Sequence, residues 1–126
     1  MLEFKNISII TAAITLILCV ILMLAPEIIF LIFEIEESNS AFFIGRRAAM
    51  LFLGLSVLLW AGRNAPHSES RQAVCLGLAV SMSGLAVLGI AEYARGYAGL
   101  GILLAVITEV ALAALYFRVW FKNRVA

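Results

Sequence analysis

The sequence predicts an all-α integral membrane protein, a single-domain bundle of four transmembrane helices. Composition is the first observation: 64% of the 126 residues are hydrophobic and 13% are charged, whereas a globular domain is about 45–50% apolar. Distribution is the second, because the apolar residues form four blocks separated by short polar stretches. A helix needs about 20 mostly apolar residues to cross the ~30 Å hydrocarbon core of a bilayer. Four such spans use most of the chain and leave no room for a soluble domain.

The first predicted span covers residues 7–25. Its apolar stretch continues to Phe33, so it is far longer than the ~7–15 residue core of a signal peptide, and we expect it to stay attached. Pro26 removes a helix hydrogen bond and predicts a kink or break. The apolar segment that follows, residues 26–37, carries four glutamates. It fits either an interfacial helix or an angled extension of the span.

The second predicted span places two arginines inside the membrane. The apolar stretch after them, residues 48–62, is about 15 residues or ~22 Å long, which is too short to cross a bilayer. A span over residues 42–62 has the required length, and it brings Arg46 and Arg47 roughly a turn and a half into the helix. Their side chains can reach back toward the headgroups, because helical side chains tilt toward the N-terminus.

The third and fourth predicted spans cover residues 72–91 and 97–121. The polar linkers before them suit hairpins between antiparallel helices, since Asn64 and Pro66 break one helix and Gly96 ends another. Aromatic side chains near the predicted span ends fit an interfacial belt. These are Trp60, Tyr93, Tyr97, Tyr116 and Trp120.

The basic residues predict how the bundle is oriented. Six of the nine fall on the side of the two termini, namely Lys5, Arg63, Arg71, Arg118, Lys122 and Arg124. The other side holds Arg46, Arg47 and Arg95, together with the carboxylates of Glu27, Glu34, Glu36, Glu37 and Glu92. Because basic residues favour the cytoplasmic side, both termini are predicted to be cytoplasmic.

Glu109 stands alone in the apolar fourth span. An ionisable group there costs ~2.5–3.5 kcal/mol on insertion scales and normally has a partner, a water-filled cavity or a function. Small residues let membrane helices approach closely, so they indicate the packed face of a helix or a homo-oligomeric contact. They recur as Gly101, Ala105 and Ala113 beside Glu109, as Gly77, Ser81 and Gly84 in the third span, and as Gly54 and Ala61 with Arg47 in the second.

A buried ion pair between Arg47 and Glu109 is the leading structural prediction. Both residues lie on small-residue faces, and the second and fourth spans run in the same direction. In the alternative, Glu27 or Glu92 pairs with the arginines, and Glu109 hydrogen-bonds Thr108 or Ser81, where the neutral acid is favoured. The candidate intramembrane polar site comprises Glu109, Arg47, Arg46 and Glu92.

The sequence predicts no catalytic residues, no metal site and no cofactor. His67 is the only histidine and lies in a predicted loop. Cys19 and Cys75 have no Cys-x-x-Cys spacing and are predicted to be buried hydrophobic residues. The net charge of +1 gives no indication of nucleic-acid binding. The expected partners are the lipid bilayer and either a second copy of the chain or another membrane protein. The loop over residues 63–71 is a topology determinant or, alternatively, a weak site for anionic lipid headgroups.

The layout resembles the small bacterial DoxX-like four-helix membrane proteins. The resemblance rests on four short spans, on the Ala25-Pro26-Glu27 break, and on the stretch over residues 45–62 that begins Gly-Arg-Arg-Ala-Ala-Met and ends Trp-Ala-Gly. It implies the four-helix fold and a bacterial inner (plasma) membrane location. Members of that group have been linked to membrane redox accessory roles and to assembly of other membrane proteins, but this chain lacks the paired cysteines of a redox role.

Small multidrug transporters also have four helices and an essential membrane glutamate. Their glutamate lies in the first helix, whereas this chain has none there before Glu27, and its basic residues are unevenly distributed. The expected function is therefore a non-enzymatic structural or accessory (assembly) subunit with a buried Arg–Glu centre. The alternative is a proton-coupled small-molecule transporter or binder that uses Glu109, with Arg47 as counter-ion. A membrane enzyme acting on lipid or quinone has no recognisable catalytic residues.

Overall fold

The computed structural model describes residues 3–123, and this part of the chain is all-helical. Its elements, in order, are α1 (Phe4–Leu24), α2 (Pro26–Phe33), α3 (Asn39–Ala61), α4 (Glu69–Ala94) and α5 (Ile102–Lys122). All except α2 are long and apolar enough to cross a membrane. The predicted all-α fold with four spanning helices is therefore confirmed. Arg124, one of the six basic residues used to predict orientation, lies outside the described residues.

Serine caps start α3 and α4 earlier than the apolar blocks alone suggest. The Ser38 hydroxyl accepts a hydrogen bond from the Ala41 amide at 3.0 Å, and the Ser68 hydroxyl accepts one from the Arg71 amide at 3.2 Å. Each cap satisfies an amide that has no partner within the helix. The polar residues before each apolar block therefore form a first helical turn, which hydropathy cannot detect.

Pro26 separates α1 from α2. It occupies the first turn of α2, where the missing amide costs no hydrogen bond. Glu34 ends α2 in the left-handed conformation, with φ of 54°. The Ile35 amide then donates to the Phe30 carbonyl at 2.9 Å, as in the common C-terminal closure of helices. The segment after the first span is thus a separate short helix followed by a turn.

The fourth spanning helix begins at Ile102 rather than at Tyr97, where the apolar stretch starts. The segment between α4 and α5 instead packs against the end of α2. The Gly99 amide donates to the Phe33 carbonyl at 2.7 Å, and a Cβ atom on Gly101 would collide with the carbonyl oxygen of Ile32. Only glycine permits this close approach of two backbones.

The long helices form two pairs, α1 with α3 and α4 with α5, and α1 also contacts α2 and α5. The main buried cluster lies toward the end of the bundle that carries the termini and includes Ile7, Leu59, Cys75 and Tyr116. A smaller cluster of Cys19, Leu22 and Ala49 lies between α1 and α3, with Ile29 of α2 packed against it. Both cysteines are free and buried, as expected, and His67 is exposed in its loop.

The small residues of α5 lie on a packed face, as predicted, whereas those of α3 and α4 face outward, so for these two helices the homo-oligomeric contact stays a prediction. Ala113 of α5 is buried and Gly101 contacts α2. By contrast, Gly54 of α3 and Gly77 and Gly84 of α4 have nothing within 4 Å of a Cβ position. On α4 the small residues of the packed face are Ala79, Ala86 and Gly89 instead. That face consists of Cys75, Leu78, Ala79, Met82, Ala86 and Gly89.

Candidate intramembrane polar site

An apolar groove lies between the two helix pairs. Its volume is about 270 Å³, and side chains from all five helices line it. Ile29, Ile32 and Phe33 of α2 form one boundary. Most of the lining is aliphatic or aromatic. The polar side chains of the lining are Thr11, Thr15, Thr108 and Glu109.

Glu109 is the ionisable residue of this groove. It lies on the same face of α5 as Ala105, Leu112 and Tyr116, which are spaced three to four residues apart. Its side chain is half-buried, and its carboxylate makes no hydrogen bond or ion pair with any residue of the range 3–123. The hydroxyl of Thr108 donates to its own helix, at the Leu104 carbonyl 3.1 Å away. The predicted hydrogen bond from Thr108 to Glu109 is therefore wrong.

The predicted buried pair of Arg47 and Glu109 is also wrong, since no buried Arg–Glu centre exists among the described residues. The packed face of α3 is formed by Ala49, Ser56 and Leu59. Arg47 lies two residues from Ala49, or about 200° around the helix at roughly 100° per residue. It is therefore exposed on the outer face, with its guanidinium 5.9 Å from the centroid of the Phe43 ring.

The other two candidate residues do not complete an ion pair either. Arg46 is exposed on α3, and Glu92 is half-buried near the end of α4. Within residues 3–123 neither forms a salt bridge to the other or to Glu109 and Arg47. Of the four predicted site residues, the structure places Glu109 alone in the groove.

A buried hydrogen-bonded cluster next to the groove was not anticipated. The Tyr116 hydroxyl, which is 0% exposed, donates to Thr11 Oγ1 at 2.8 Å and joins α5 to α1. The Thr11 and Thr15 hydroxyls donate to α1 carbonyls at 2.8 Å, and buried Ser8 adjoins the same tyrosine. Tyr116 is therefore an interhelical contact, and its assignment to the aromatic belt is wrong. The available signal was Ser8, Thr11 and Thr15, three hydroxyls on one face of the first span.

A second interhelical hydrogen bond lies within the pair of α1 and α3. The Ser56 hydroxyl of α3 donates to the Ala12 carbonyl of α1 at 2.8 Å. Hydrogen bonds between membrane helices typically contribute about 0.6 kcal/mol and up to about 1.7 kcal/mol. With α1 at their centre, these bonds hold α3 and α5 on either side of the groove.

Fold and site together define a class: a multi-pass helical membrane protein with an unpaired carboxylate in an apolar groove. Among residues 3–123 no group of three or more histidines, cysteines and carboxylates is placed to hold a metal ion. Comparison with models of known families, with curated proteins and with solved structures found no significant match. The DoxX-like resemblance thus stays a prediction.

Proposed function

We propose that this protein binds a small, largely apolar molecule with a protonated amine or similar donor in the groove at Glu109. The observation that carries the proposal is the lack of a partner for the Glu109 carboxylate among residues 3–123. A carboxylate at membrane depth is costly unless it is paired, hydrated or neutralised. Since the predicted counter-ion Arg47 faces outward, a cationic ligand or a proton is the natural partner.

The shape and lining of the groove support a ligand of this kind. Small-molecule sites are concave and mostly apolar, with a few polar groups that fix orientation. Here the apolar walls suit a hydrocarbon or aromatic body, and Glu109 supplies one acceptor for a charge-assisted hydrogen bond. The groove, at about 270 Å³, is slightly smaller than the ~300–1,000 Å³ of typical ligand pockets, so a ligand of one ring or a short chain fits best.

Binding of a fluorinated phenethylamine to the protein in nanodiscs, followed by fluorine NMR, tests this proposal. The neutral fluorinated phenethyl alcohol has nearly the same shape and serves as the reference ligand. Glu109→Gln should weaken amine binding at least ~10-fold, because a hydrogen bond to a charged group contributes about 1.5–3 kcal/mol. Alcohol binding should weaken less, because its neutral hydroxyl can donate a hydrogen bond to Glu109 but lacks the attraction between opposite charges.

Glu92→Gln is the matched control, because it removes a half-buried carboxylate that does not line the groove. It should leave the amine affinity at the wild-type value. Protons compete with the amine for Glu109, so acidification should weaken binding to the wild type and not to Glu109→Gln. Equal amine affinities for the two variants would refute the proposal.

A structural or accessory subunit is the second candidate, and the observation that favours it is the outer face of α3. Arg46 and Arg47 are exposed there without an ion-pair partner among residues 3–123. Phe43, Met50 and Leu51 surround Arg47 on this face. A second copy of the chain is the partner we propose, because the connection before α3 presents the exposed Glu36 and Glu37.

Native mass spectrometry in a mild detergent tests the second candidate. The wild-type protein should appear as a dimer, and Arg46→Gln/Arg47→Gln should shift it to a monomer. Glu109→Gln, which alters the groove and not the outer face of α3, should remain dimeric. A wild-type monomer would exclude this partner and leave the first proposal standing.

We further propose a bacterial inner-membrane location with both termini in the cytoplasm, supported by the distribution of basic residues. The two native cysteines are buried, so a cysteine introduced in a loop is the reactive one. In intact cells, a membrane-impermeant maleimide should label Glu36→Cys and spare Asn64→Cys. The reverse pattern would invert the orientation.

A further inference from the structure

Basic side chains gather where α1 begins, α4 begins and α5 ends. Two adjacent cavities open there, of about 380 Å³ and about 230 Å³. Glu3, Phe4 and Arg71 line both cavities. Arg118 and Lys122 complete the larger one, while Lys5 and Arg63 line the smaller. Five cations thus face a single carboxylate, Glu3, and the excess positive charge calls for an anion.

Arg71 is held in place between the two cavities. Its Nη1 donates to the Ala65 carbonyl at 3.3 Å, and its guanidinium lies 5.0 Å from the centroid of the Phe4 ring. Its Nε–H is buried and has no acceptor among residues 3–123. A buried donor without a partner is energetically unfavourable. Other parts of the Arg71 side chain line both cavities, so this residue places a fixed positive charge between them.

Arg118 and Lys122 add two cations that are not engaged elsewhere. Neither forms a hydrogen bond or ion pair with another residue of the described range. They lie four residues apart, on one face of the last turns of α5. Arg63, in contrast, is already engaged, because it donates to the Trp60 carbonyl at 2.6 Å and stacks 3.9 Å from the indole ring. Lys5 of the smaller cavity also forms no hydrogen bond or ion pair within residues 3–123, so the larger cavity holds two unengaged cations and the smaller cavity one.

The location identifies the source of the anion. The cavities lie at the ends of spanning helices, where Trp60 stacks on Arg63 and Trp120 lies near the end of α5. Tryptophan is enriched at the level of the lipid headgroups. Basic pockets between transmembrane helices at that level suit the phosphate groups of anionic lipids. We propose that Arg71, Arg118 and Lys122 bind the headgroup phosphate of an anionic phospholipid whose acyl chains run along α5.

Lipid retention, measured by native mass spectrometry, tests the site. The protein is incorporated in nanodiscs of phosphatidylcholine with phosphatidylglycerol and then transferred to detergent. One phosphatidylglycerol should stay bound to the wild type, and phosphatidylcholine should not. Since each basic residue near the surface contributes about a fivefold preference for anionic lipid, Arg118→Gln/Lys122→Gln should lower retention ~25-fold. Arg118→Lys/Lys122→Arg keeps both charges and should restore it.

Arg46→Gln/Arg47→Gln is the matched control, because it removes the same charge from exposed positions on α3. It should retain the lipid, and so should Glu109→Gln. Equal loss in Arg46→Gln/Arg47→Gln and Arg118→Gln/Lys122→Gln would overturn the site, since it would indicate general electrostatic attraction. Inorganic phosphate that binds the lipid-free protein and displaces phosphatidylglycerol at equal concentration would also overturn it, in favour of a soluble anion. Thermal unfolding in phosphatidylcholine nanodiscs, expected to be unchanged for Arg118→Gln/Lys122→Gln, confirms that this variant folds.

Discussion

Gly89→Ala tests how closely α4 and α5 pack. A Cβ atom at Gly89 would lie 2.7 Å from Val106 Cγ2 and 3.6 Å from Ile102 Cγ1. The shorter distance is well inside van der Waals contact, and valine has essentially one χ1 rotamer in a helix, so it cannot rotate away. Overpacking of this kind costs about 1–3 kcal/mol, while alanine regains up to ~1 kcal/mol of helix propensity. The net expectation is a loss of about 1 kcal/mol.

Gly84→Ala is the matched control for this prediction. It makes the same change on the same helix, but nothing lies within 4 Å of the new methyl group. It should therefore be neutral or stabilising by up to ~1 kcal/mol. The free energy of unfolding is measured by titration with sodium dodecyl sulfate in mixed micelles, with intrinsic tryptophan fluorescence as the signal.

A compensating change sharpens the test. Val106→Ala removes the atom that the new methyl group would meet. In the Gly89→Ala background, it should cost less than in the wild type, because one clash is relieved while one contact is lost. The close packing of α4 on α5 would be refuted if Gly89→Ala were as stable as Gly84→Ala and showed no coupling to Val106→Ala.

Two further predictions concern the contacts around the groove. A double-mutant cycle of Tyr116→Phe and Thr11→Val should give a coupling of about 0.6 kcal/mol, and at most ~1.7 kcal/mol, since the two hydroxyls are 2.8 Å apart. Strictly additive losses in the same micelle titration would contradict that bond. Gly101→Ala should loosen the junction with α2, because its methyl group would collide with the Ile32 carbonyl. Amide hydrogen exchange at Gly99, whose N–H donates to α2, should become faster, and an unchanged rate would contradict the close approach.

Hydropathy predicts the spanning helices because the bilayer imposes a length on each of them. Twenty or so apolar residues are needed wherever a helix crosses, whatever it packs against. The differences in helix bounds arise from features that hydropathy does not register. Ser38 and Ser68 extend two helices by capping them, and the Gly99–Phe33 hydrogen bond removes the first residues of the fourth apolar block from α5.

The rotation of each helix was not predictable in the same way. Lipid tails are as apolar as leucine, so a leucine is equally suited to the lipid and to the core. On α3, Leu51 is 77% exposed and Leu58 53% exposed, whereas Leu59 is 1% exposed. The hydrophobic pattern therefore contains no stripe that identifies the packed face. When the packed face of α3 is unknown, the direction of the Arg47 side chain cannot be inferred. The predicted ion pair of Arg47 and Glu109 rests on their depth in the membrane, and the two side chains in fact point away from each other.

Glu109 and Tyr116 mark where the two helix pairs are separated by the groove and where they are joined. They lie two turns apart on the same face of α5. Toward the termini, the Tyr116 hydroxyl reaches α1 and bonds to Thr11, so the two helices are held in contact. Toward α2, Glu109 has no partner among residues 3–123 and lines the groove instead. Tyr116 thus connects the two helix pairs through its hydrogen bond to α1, whereas Glu109 makes no such connection. Tyr116 therefore stabilises the bundle, whereas Glu109 is the residue to which we assign the proposed ligand.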